Sequence, residues 1–137
     1  MKTVLIDTNI VLDIALQRPS FYEDAKNIFN LIKQNKIIAF ISATTVTDIF
    51  YILKKEKLDA FKYLKILLEI IDILNVDKET VFNALYSDWK DFEDAIQAQV
   101  ALKNSIDIIV TRNIGDFQKI QKVEVLNPPS FLKLFPA

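Results

Sequence analysis

The chain has 137 residues, 51% of them apolar, and a formal net charge of −1, a combination that predicts one globular domain with a substantial core. Because it contains no cysteine and no histidine, disulfides, Cys/His zinc sites, Ser-His-Asp triads and cysteine nucleophiles are excluded. The single glycine, Gly115, excludes a P-loop and the glycine-rich dinucleotide-binding motif, which leaves carboxylates, hydroxyls, amides, lysines and two arginines for chemistry.

The sequence shows no targeting signal and no membrane segment. The N-terminal stretch Met1–Ile6 is too short for a signal-peptide core and leads directly into Asp7. No apolar run reaches the roughly 18 residues that a membrane-spanning helix needs. We therefore expect a cytoplasmic protein that does not interact with membranes.

The first half of the chain predicts alternating strands and helices. Thr3–Ile6 is a short apolar run that ends at Asp7, as expected of a buried strand. Ser20, with Glu23 three residues later, has the pattern of a capping box at the start of a helix. The elements predicted here are strand Thr3–Ile6, helix Asn9–Gln17, a helix from Ser20 to about Asn35, strand Ile37–Ile41, helices Ser42–Lys57 and Leu58–Ile71, and strand Ile73–Val76.

The second half continues this alternation. Asp77 and Asp91 are predicted to cap the helices that follow them. The elements predicted here are helix Lys78–Ser87, helix Asp91–Lys103, strand Asp107–Thr111, strand Val123–Leu126 and a last helical turn opened by Pro128 and Pro129. Because the strands are continuously apolar, we expect an α/β domain whose parallel sheet is covered by helices on both faces. In such sheets, ligands bind beyond the C-terminal ends of the strands.

Acidic residues recur at these strand ends and helix starts. Asp7 ends the first strand, Asp48 lies one turn into the helix after the second, and Asp116 follows the third clear strand. Asp91 and Asp94 lie in the first turn of the helix before that strand. Each acid alone has an ordinary alternative role as a helix cap, a solvated helix position or a turn residue. Their shared placement near one edge of the sheet favours a common cleft.

Such a cleft would favour divalent metal ions. Several carboxylates in one place repel one another, and a hard divalent cation relieves that repulsion. Mg²⁺ prefers oxygen ligands, typically one or two carboxylates together with water and substrate phosphate. A site of this kind orients water and stabilises charge on a phosphodiester under attack, and it needs no histidine.

Three segments, in order along the chain, resemble the motifs of PIN-domain ribonucleases. They are residues 6–13 (IDTNIVLD), 91–96 (DFEDAI) and 111–117 (TRNIGDF). The resemblance covers residues 1–137, essentially the whole chain, as a single PIN-like domain. It implies a three-layer α/β/α fold with a parallel sheet of about five strands in a Rossmann-like arrangement, and Mg²⁺- or Mn²⁺-dependent cleavage of RNA.

The resemblance also implies roles for individual residues. By position, Asp7, Asp94 and Asp116 match the acids that hold the metal in the family. Asn9 and Thr111 match its supporting polar residues, which hold carboxylates or water by hydrogen bonds.

Three further residues are candidates for the same pocket. Asp91 would be an additional acid facing it. Asp48 lies where the toxin members usually have glutamate, and its side chain is one methylene shorter but keeps the charge. Arg112 would either pair with phosphate or form a surface salt bridge.

The resemblance leads to a hypothesis of metal-dependent RNA hydrolysis. Asp7, Asp94 and Asp116 would anchor one Mg²⁺ or Mn²⁺ ion, with Asp48 assisting directly or through water. Water would attack the phosphodiester in line and leave a 5′-phosphate. Many small members of the family are VapC-type toxins of toxin–antitoxin pairs, so a homodimer and a small antitoxin are the implied partners.

Three other functions compete with this one. A catalytically inactive PIN scaffold that binds RNA or protein stays open, because Asp48 replaces the usual glutamate. A receiver domain is disfavoured, since the first strand supplies only Asp7 and a middle strand ends at Thr111. A phosphatase of the Asp-x-Asp type is disfavoured because Asn9 stands where its second aspartate would be.

Overall fold

Within residues 1–136, which the computed structural model describes, five parallel strands form one sheet. The strands are β1 (Thr3–Ile6), β2 (Ile38–Ser42), β3 (Asp72–Leu74), β4 (Ile108–Val110) and β5 (Glu124–Leu126). Their order across the sheet is β3-β2-β1-β4-β5. β1 therefore lies at the centre, where Val4 is opposite both Ala39 of β2 and Ile108 of β4.

Helices connect and cover these strands. In the described residues they are α1 (Thr8–Ala15), α2 (Tyr22–Lys33), α3 (Ala43–Lys55), α4 (Ala60–Leu67), α5 (Lys78–Leu85), α6 (Phe92–Lys103) and α7 (Pro128–Leu132). A short 3₁₀ turn over Ile114–Phe117 follows β4. Each of these helices is too short or too polar to cross a membrane.

The central strand is buried on both faces. Val4 and Ile6 belong to a hydrophobic core formed with α1, α2, α3, α4 and α7, and Leu5 belongs to a second core formed with α5 and α6. Because successive side chains of a strand face opposite sides, a strand covered on both faces is apolar throughout. This arrangement confirms the predicted three-layer α/β/α fold with a parallel sheet of about five strands.

Some predicted boundaries are displaced. Ser42 closes β2 and caps α3 instead of beginning the helix. The helix predicted over Leu58–Ile71 is shorter at both ends. It begins only after Asp59, which caps it, and it stops before the chain enters β3, where Asp72 pairs with Phe40 of β2.

The capping box predicted at Ser20 is wrong. Ser20 has a left-handed backbone (φ 74°), and the cap position of α2 is taken by Phe21, whose side chain has no hydrogen-bond acceptor. The N–H groups of Phe21 and Tyr22 donate to the Arg18 carbonyl at 3.2 and 3.0 Å. The centroid of the Phe21 ring lies 3.9 Å from the guanidinium carbon of Arg112. The helix therefore starts from a turn closed on the Arg18 carbonyl, beside a contact with a distant segment, and not from the predicted side-chain cap.

Both arginines of the chain converge on one buried carboxylate. Asp13 of α1 is 1% exposed, and its Oδ1 accepts hydrogen bonds from Arg18 at 3.2 Å and from Arg112 at 3.1 Å. Its Oδ2 lies 3.0 Å from Nε of Arg112. Because Arg18 precedes α2 and Arg112 follows β4, this cluster ties three segments together. Of the two roles expected for Arg112, the geometry favours the ion pair over the phosphate contact, with a buried partner instead of a surface one.

Asp13→Asn is expected to destabilise the fold. The substitution keeps the size of the side chain but removes the charge that balances two partly buried guanidinium groups. Breaking a buried ion pair from one side typically costs several kcal/mol, so we expect the free energy of unfolding in urea to fall by about 3 kcal/mol.

Asp77→Asn is the matched control for this prediction. Asp77 pairs with Lys103 on the surface, and asparagine still caps α5, so the effect should be much smaller. Equal losses of stability in the two variants would contradict the role assigned to Asp13.

Candidate active site

The strand order creates a crevice at the C-terminal ends of β1 and β4. From β1 the chain runs outward through β2 to β3, and it then returns to β4 on the other side of β1. In open parallel sheets, ligands bind at this switch in strand order. Asp7 and Thr111 are the first residues beyond the two strands, so both lie at the crevice.

Hydrogen bonds hold both carboxylate oxygens of Asp7. Oδ1 accepts the Thr8 N–H at 2.8 Å, which caps α1, and Oδ2 accepts the Thr111 hydroxyl at 2.7 Å. The Thr111 hydroxyl oxygen in turn accepts the Asn113 N–H at 3.0 Å, so its proton is directed at Asp7. Asp7 is thus a helix cap and a wall of the crevice at the same time.

A cleft of about 390 Å³ opens at this point. Among residues 1–136, six acids line it, brought together from the end of β1, from α3, from the start of α6 and from the segment after β4. They are Asp7, Asp48, Asp91, Glu93, Asp94 and Asp116. The five aspartates are those that the sequence analysis placed near strand ends and helix starts, and Asn9 also lies in the cleft wall.

Glu93 is the acid that the sequence analysis missed. It lies in the first turn of α6, where the helix dipole stabilises a negative charge, so its presence had an ordinary explanation. The sequence does indicate a role for Glu93, because it lies between Asp91 and Asp94, two acids that were already candidates for the cleft.

One acid of the cleft, Asp94, has a strongly raised pKa. Burial raises the pKa of Asp94 to about 7, and the nearby charges of Asp91, Asp7, Asp116 and Glu93 add to the effect. With this pKa, the Asp94 carboxyl group is about half protonated at neutral pH when no cation is present.

Three other carboxyl groups are shifted in the same direction. Burial raises the pKa of Asp7, although the Thr111 and Thr8 hydrogen bonds and the charge of Arg112 oppose the shift. Burial also raises the pKa of Asp48. The pKa of Glu93 is raised by burial and then by neighbouring acids, the first of which is Asp48. The pKa values of four cleft acids are therefore raised, as expected of carboxyl groups that are partly withdrawn from solvent.

A polar network lies beneath these acids. Gln97 of α6 is 6% exposed, and its Nε2 donates to the hydroxyl oxygen of Thr45 at 3.0 Å. The Thr8 hydroxyl also donates to Thr45, at 3.2 Å, and the Ser42 hydroxyl lies 3.1 Å from it. Gln97 and Thr45 thereby join α6 to α3 across the cleft. Sequence reasoning missed both residues, although Gln97 is a polar residue among buried alanines and isoleucine.

One atom of this network lacks a partner. Within the part of the chain that the structure describes, Oε1 of Gln97 accepts no hydrogen bond although it is buried. An unsatisfied buried acceptor is costly, so a donor from outside the chain would be favoured at this place. Asn9 differs in this respect, since its Oδ1 already accepts a hydrogen bond from Arg18 at 3.3 Å.

The donor atoms of the cleft fit a hard divalent cation. They are carboxylate and amide oxygens, which Mg²⁺ prefers, and Mg²⁺ commonly uses one or two carboxylates and completes its shell with water. The acids are not preassembled, however, because no three acidic side chains among residues 1–136 are grouped as ligands of one ion. Asp7, Asp94 and Asp116, which were expected to hold the metal together, therefore share a cleft, but their carboxylates are not arranged around one ion position.

Comparisons with known proteins agree with this fold. Residues 3–115 match the model of the PIN-domain family. VapBC2 from Rickettsia felis, bound to a DNA fragment from its promoter, has a TM-score of 0.69 and 21% identity, covering 91% of this chain and 98% of that one. A toxin–antitoxin complex from Klebsiella pneumoniae has a TM-score of 0.69 and 24% identity, covering 91% and 97%.

A third similar structure is VapC20 from Mycobacterium tuberculosis, described as a toxin that cleaves the sarcin-ricin loop. It has a TM-score of 0.68 and 14% identity, covering 88% of this chain and 98% of that one. Identities this low show a shared fold. No curated protein matches the sequence significantly.

The raised pKa of Asp94 predicts how stability depends on pH in metal-free protein. Its pKa is about 7 in the folded state, against an ordinary aspartate value of 3.8, so the folded chain binds the extra proton between these limits. Stability should therefore fall as the pH rises through this window. Asp94→Asn removes the titration, and we expect it to be more stable than wild type above neutral pH, by about 1 kcal/mol once solvent screening is allowed for.

Urea denaturation in EDTA at acidic and mildly alkaline pH measures this difference. Asp72→Asn is the control, because Asp72 is exposed on β3 and lies outside the cleft lining. An Asp94→Asn variant with the same pH dependence as wild type would show that the cleft does not perturb this carboxyl group.

Proposed function

The chain belongs to the PIN-domain family, and we propose that it is a divalent-metal-dependent ribonuclease that hydrolyses RNA phosphodiester bonds. One observation carries the proposal: acids from distant segments of the chain line a single cleft at the switch point of the sheet, where the pKa of Asp94 is raised to about 7. A cluster with this repulsion is suited to a cation and, through it, to a phosphate.

We assign the metal to Asp7, Asp94 and Asp116, acting directly or through water. Mg²⁺ or Mn²⁺ bound there would neutralise charge on the scissile phosphate and favour ionisation of the attacking water. The residues suit this role because the Asp7 carboxylate is fixed on both oxygens and because Asp94 gains most from a nearby positive charge.

The chain's own groups would position the substrate and move a proton. Asp48, on α3, lies across the cleft from α6, and its raised pKa suits it to accept a proton from the attacking water. The water oxygen would bond to phosphorus as the bond from phosphorus to the 3′ oxygen breaks. The products would be a 5′-phosphate and a 3′-hydroxyl, which takes its proton from solvent.

We further propose that this nuclease is the toxin of a toxin–antitoxin pair in the cytoplasm, acting as a homodimer with a small antitoxin as a second partner. Two of the similar structures are toxin–antitoxin complexes, which supports the antitoxin. Exposed aromatic side chains on α3 and α4, among them Tyr51 and Phe61, offer apolar surface for a partner.

Cleavage of a mixed panel of structured RNAs with Mg²⁺ or Mn²⁺ tests the nuclease. Asp7→Asn and Asp94→Asn keep the shape of the side chain but remove charge, so both should fold and lose at least about a hundredfold of the metal-dependent rate. Asp72→Asn, the same change outside the cleft, should cut like wild type.

A folded wild-type chain that cuts no RNA with either metal would favour the inactive scaffold. Cutting by all three variants at the wild-type rate would show that the activity does not come from this cleft.

Thr111→Val tests the positioning of Asp7. Valine keeps the volume of threonine but cannot donate to Oδ2 of Asp7, so the carboxylate loses one of its two anchors. Loss of such a supporting hydrogen bond typically costs about 10–100-fold in metal affinity or activity. We expect the valine variant to need a higher Mg²⁺ concentration for half-maximal cleavage. Thr111→Ser keeps the hydroxyl and should need a concentration close to that of wild type. If the valine and serine variants needed the same Mg²⁺ concentration, the Thr111 hydroxyl would not be what positions Asp7.

A further inference from the structure

A second cleft of about 360 Å³ adjoins the first. The two share three acids, which form a ridge between them: Asp91, Asp94 and Asp116. The remaining lining of the second cleft consists of Trp89, Lys90, Gly115, Gln118 and Lys119. A molecule bound in the first cleft could therefore extend across the acidic ridge into the second.

The two clefts differ in charge. In the described chain, the first cleft is lined by acids and uncharged residues, without a lysine or an arginine. The second carries Lys90 and Lys119. A nucleic acid strand bears a negative charge on every phosphate, so a strand held at the acidic cleft needs cationic contacts beside it. The second cleft provides them on one side of the ridge.

Contacts between two segments shape the second cleft. Trp89 is half-buried, and its ring makes an edge contact with the buried ring of Phe117, with centroids 5.7 Å apart and planes at 73°. Nζ of Lys119 donates to the Asp88 carbonyl at 2.9 Å. The residues before α6 are thereby tied to the segment after β4. Because an ammonium group has three donors, Lys119 keeps others for a ligand.

We propose that the second cleft is a subsite for the nucleotide next to the scissile phosphate of single-stranded RNA. The base stacks on the ring of Trp89, and the adjacent phosphate lies between Lys90 and Lys119. Aromatic side chains with flanking lysines bind single strands in this way without reading sequence. The inference rests on the proposed function, since it assumes that RNA occupies the acidic cleft.

Trp89 is the only tryptophan of the chain, so tryptophan fluorescence comes from a residue that lines this cleft. The probe is a single-stranded RNA of about ten uridines, comparable to the site sizes of single-strand binders. It is titrated with Mg²⁺ into the Asp94→Asn variant, which should not cut it. We expect saturable quenching of the fluorescence, at concentrations that match binding followed by the anisotropy of a labelled oligonucleotide.

Variants assign the contacts. Lys90→Ala and Lys119→Ala should each weaken binding several-fold. Each should also reduce the slope of the logarithm of the binding constant against the logarithm of the salt concentration by about one. Trp89→Ala should weaken it by about tenfold, as expected for loss of one stacked base, and Trp89→Phe, which keeps a ring against Phe117, should weaken it less. Lys54→Ala, at the exposed end of α3, is the matched control and should bind like its parent.

Binding without quenching, or lysine variants that behave like Lys54→Ala, would overturn the subsite, as would a failure of the RNA to bind. Its failure is distinguishable from failure of the nuclease. If wild type cuts RNA while Trp89 and the two lysines have no effect, only the subsite is wrong. If wild type cuts nothing but the oligonucleotide quenches Trp89 and the lysine variants weaken binding, the second cleft binds RNA and only the proposed hydrolytic activity is wrong.

Discussion

The parallel pairing of β1 with β4 fixes the position of the Asp7 carboxylate, around which the other acids are arranged. Ile6 lies opposite Val110, and the ladder continues beyond β1 as the Asp7 N–H donates to the Val110 carbonyl at 3.0 Å. The next residue of that segment, Thr111, binds the Asp7 side chain although the two are 104 residues apart. The site therefore exists only when the central strands of the sheet are paired, and its geometry and the fold depend on the same contacts.

Several acids at one edge of the sheet repel one another, which destabilises the folded state. The protein reduces this repulsion in more than one way. Burial and like charges raise the pKa of Asp94 to about 7, so part of the repulsion is relieved by a bound proton. Hydrogen bonds and the nearby charge of Arg112 partly stabilise ionised Asp7. Arg112 itself does not line the cleft, and its guanidinium group pairs with buried Asp13, which also binds Arg18. Within the described residues, the carboxylates of the cleft therefore have no arginine or lysine partner in its lining, which suits the cation proposed to bind there.

Much of the fold and of the candidate site could be predicted from the sequence, for local physical reasons. Continuously apolar strands separated by helices imply a parallel sheet, and acids placed just beyond such strands share an edge. What could not be predicted depends on contacts between distant segments. At the start of α2, Phe21 lies against Arg112 of a distant segment, and Ser20 does not form the cap that the local pattern predicts. Likewise, the place of Gln97 in the site depends on its hydrogen bond to Thr45 of α3, a residue 52 positions earlier in the chain.

The titration of the Asp94 carboxyl group, followed by NMR of carbon-13-labelled protein with and without Mg²⁺, tests the central claim that this cleft concentrates charge for a cation. We predict a pKa of about 7 without metal and a large decrease when Mg²⁺ is added, because the cation stabilises the ionised form. We also expect Asp7→Asn to reduce the effect of Mg²⁺. An ordinary aspartate pKa that does not respond to Mg²⁺ would contradict the claim, since the acids would then neither repel one another nor share an ion.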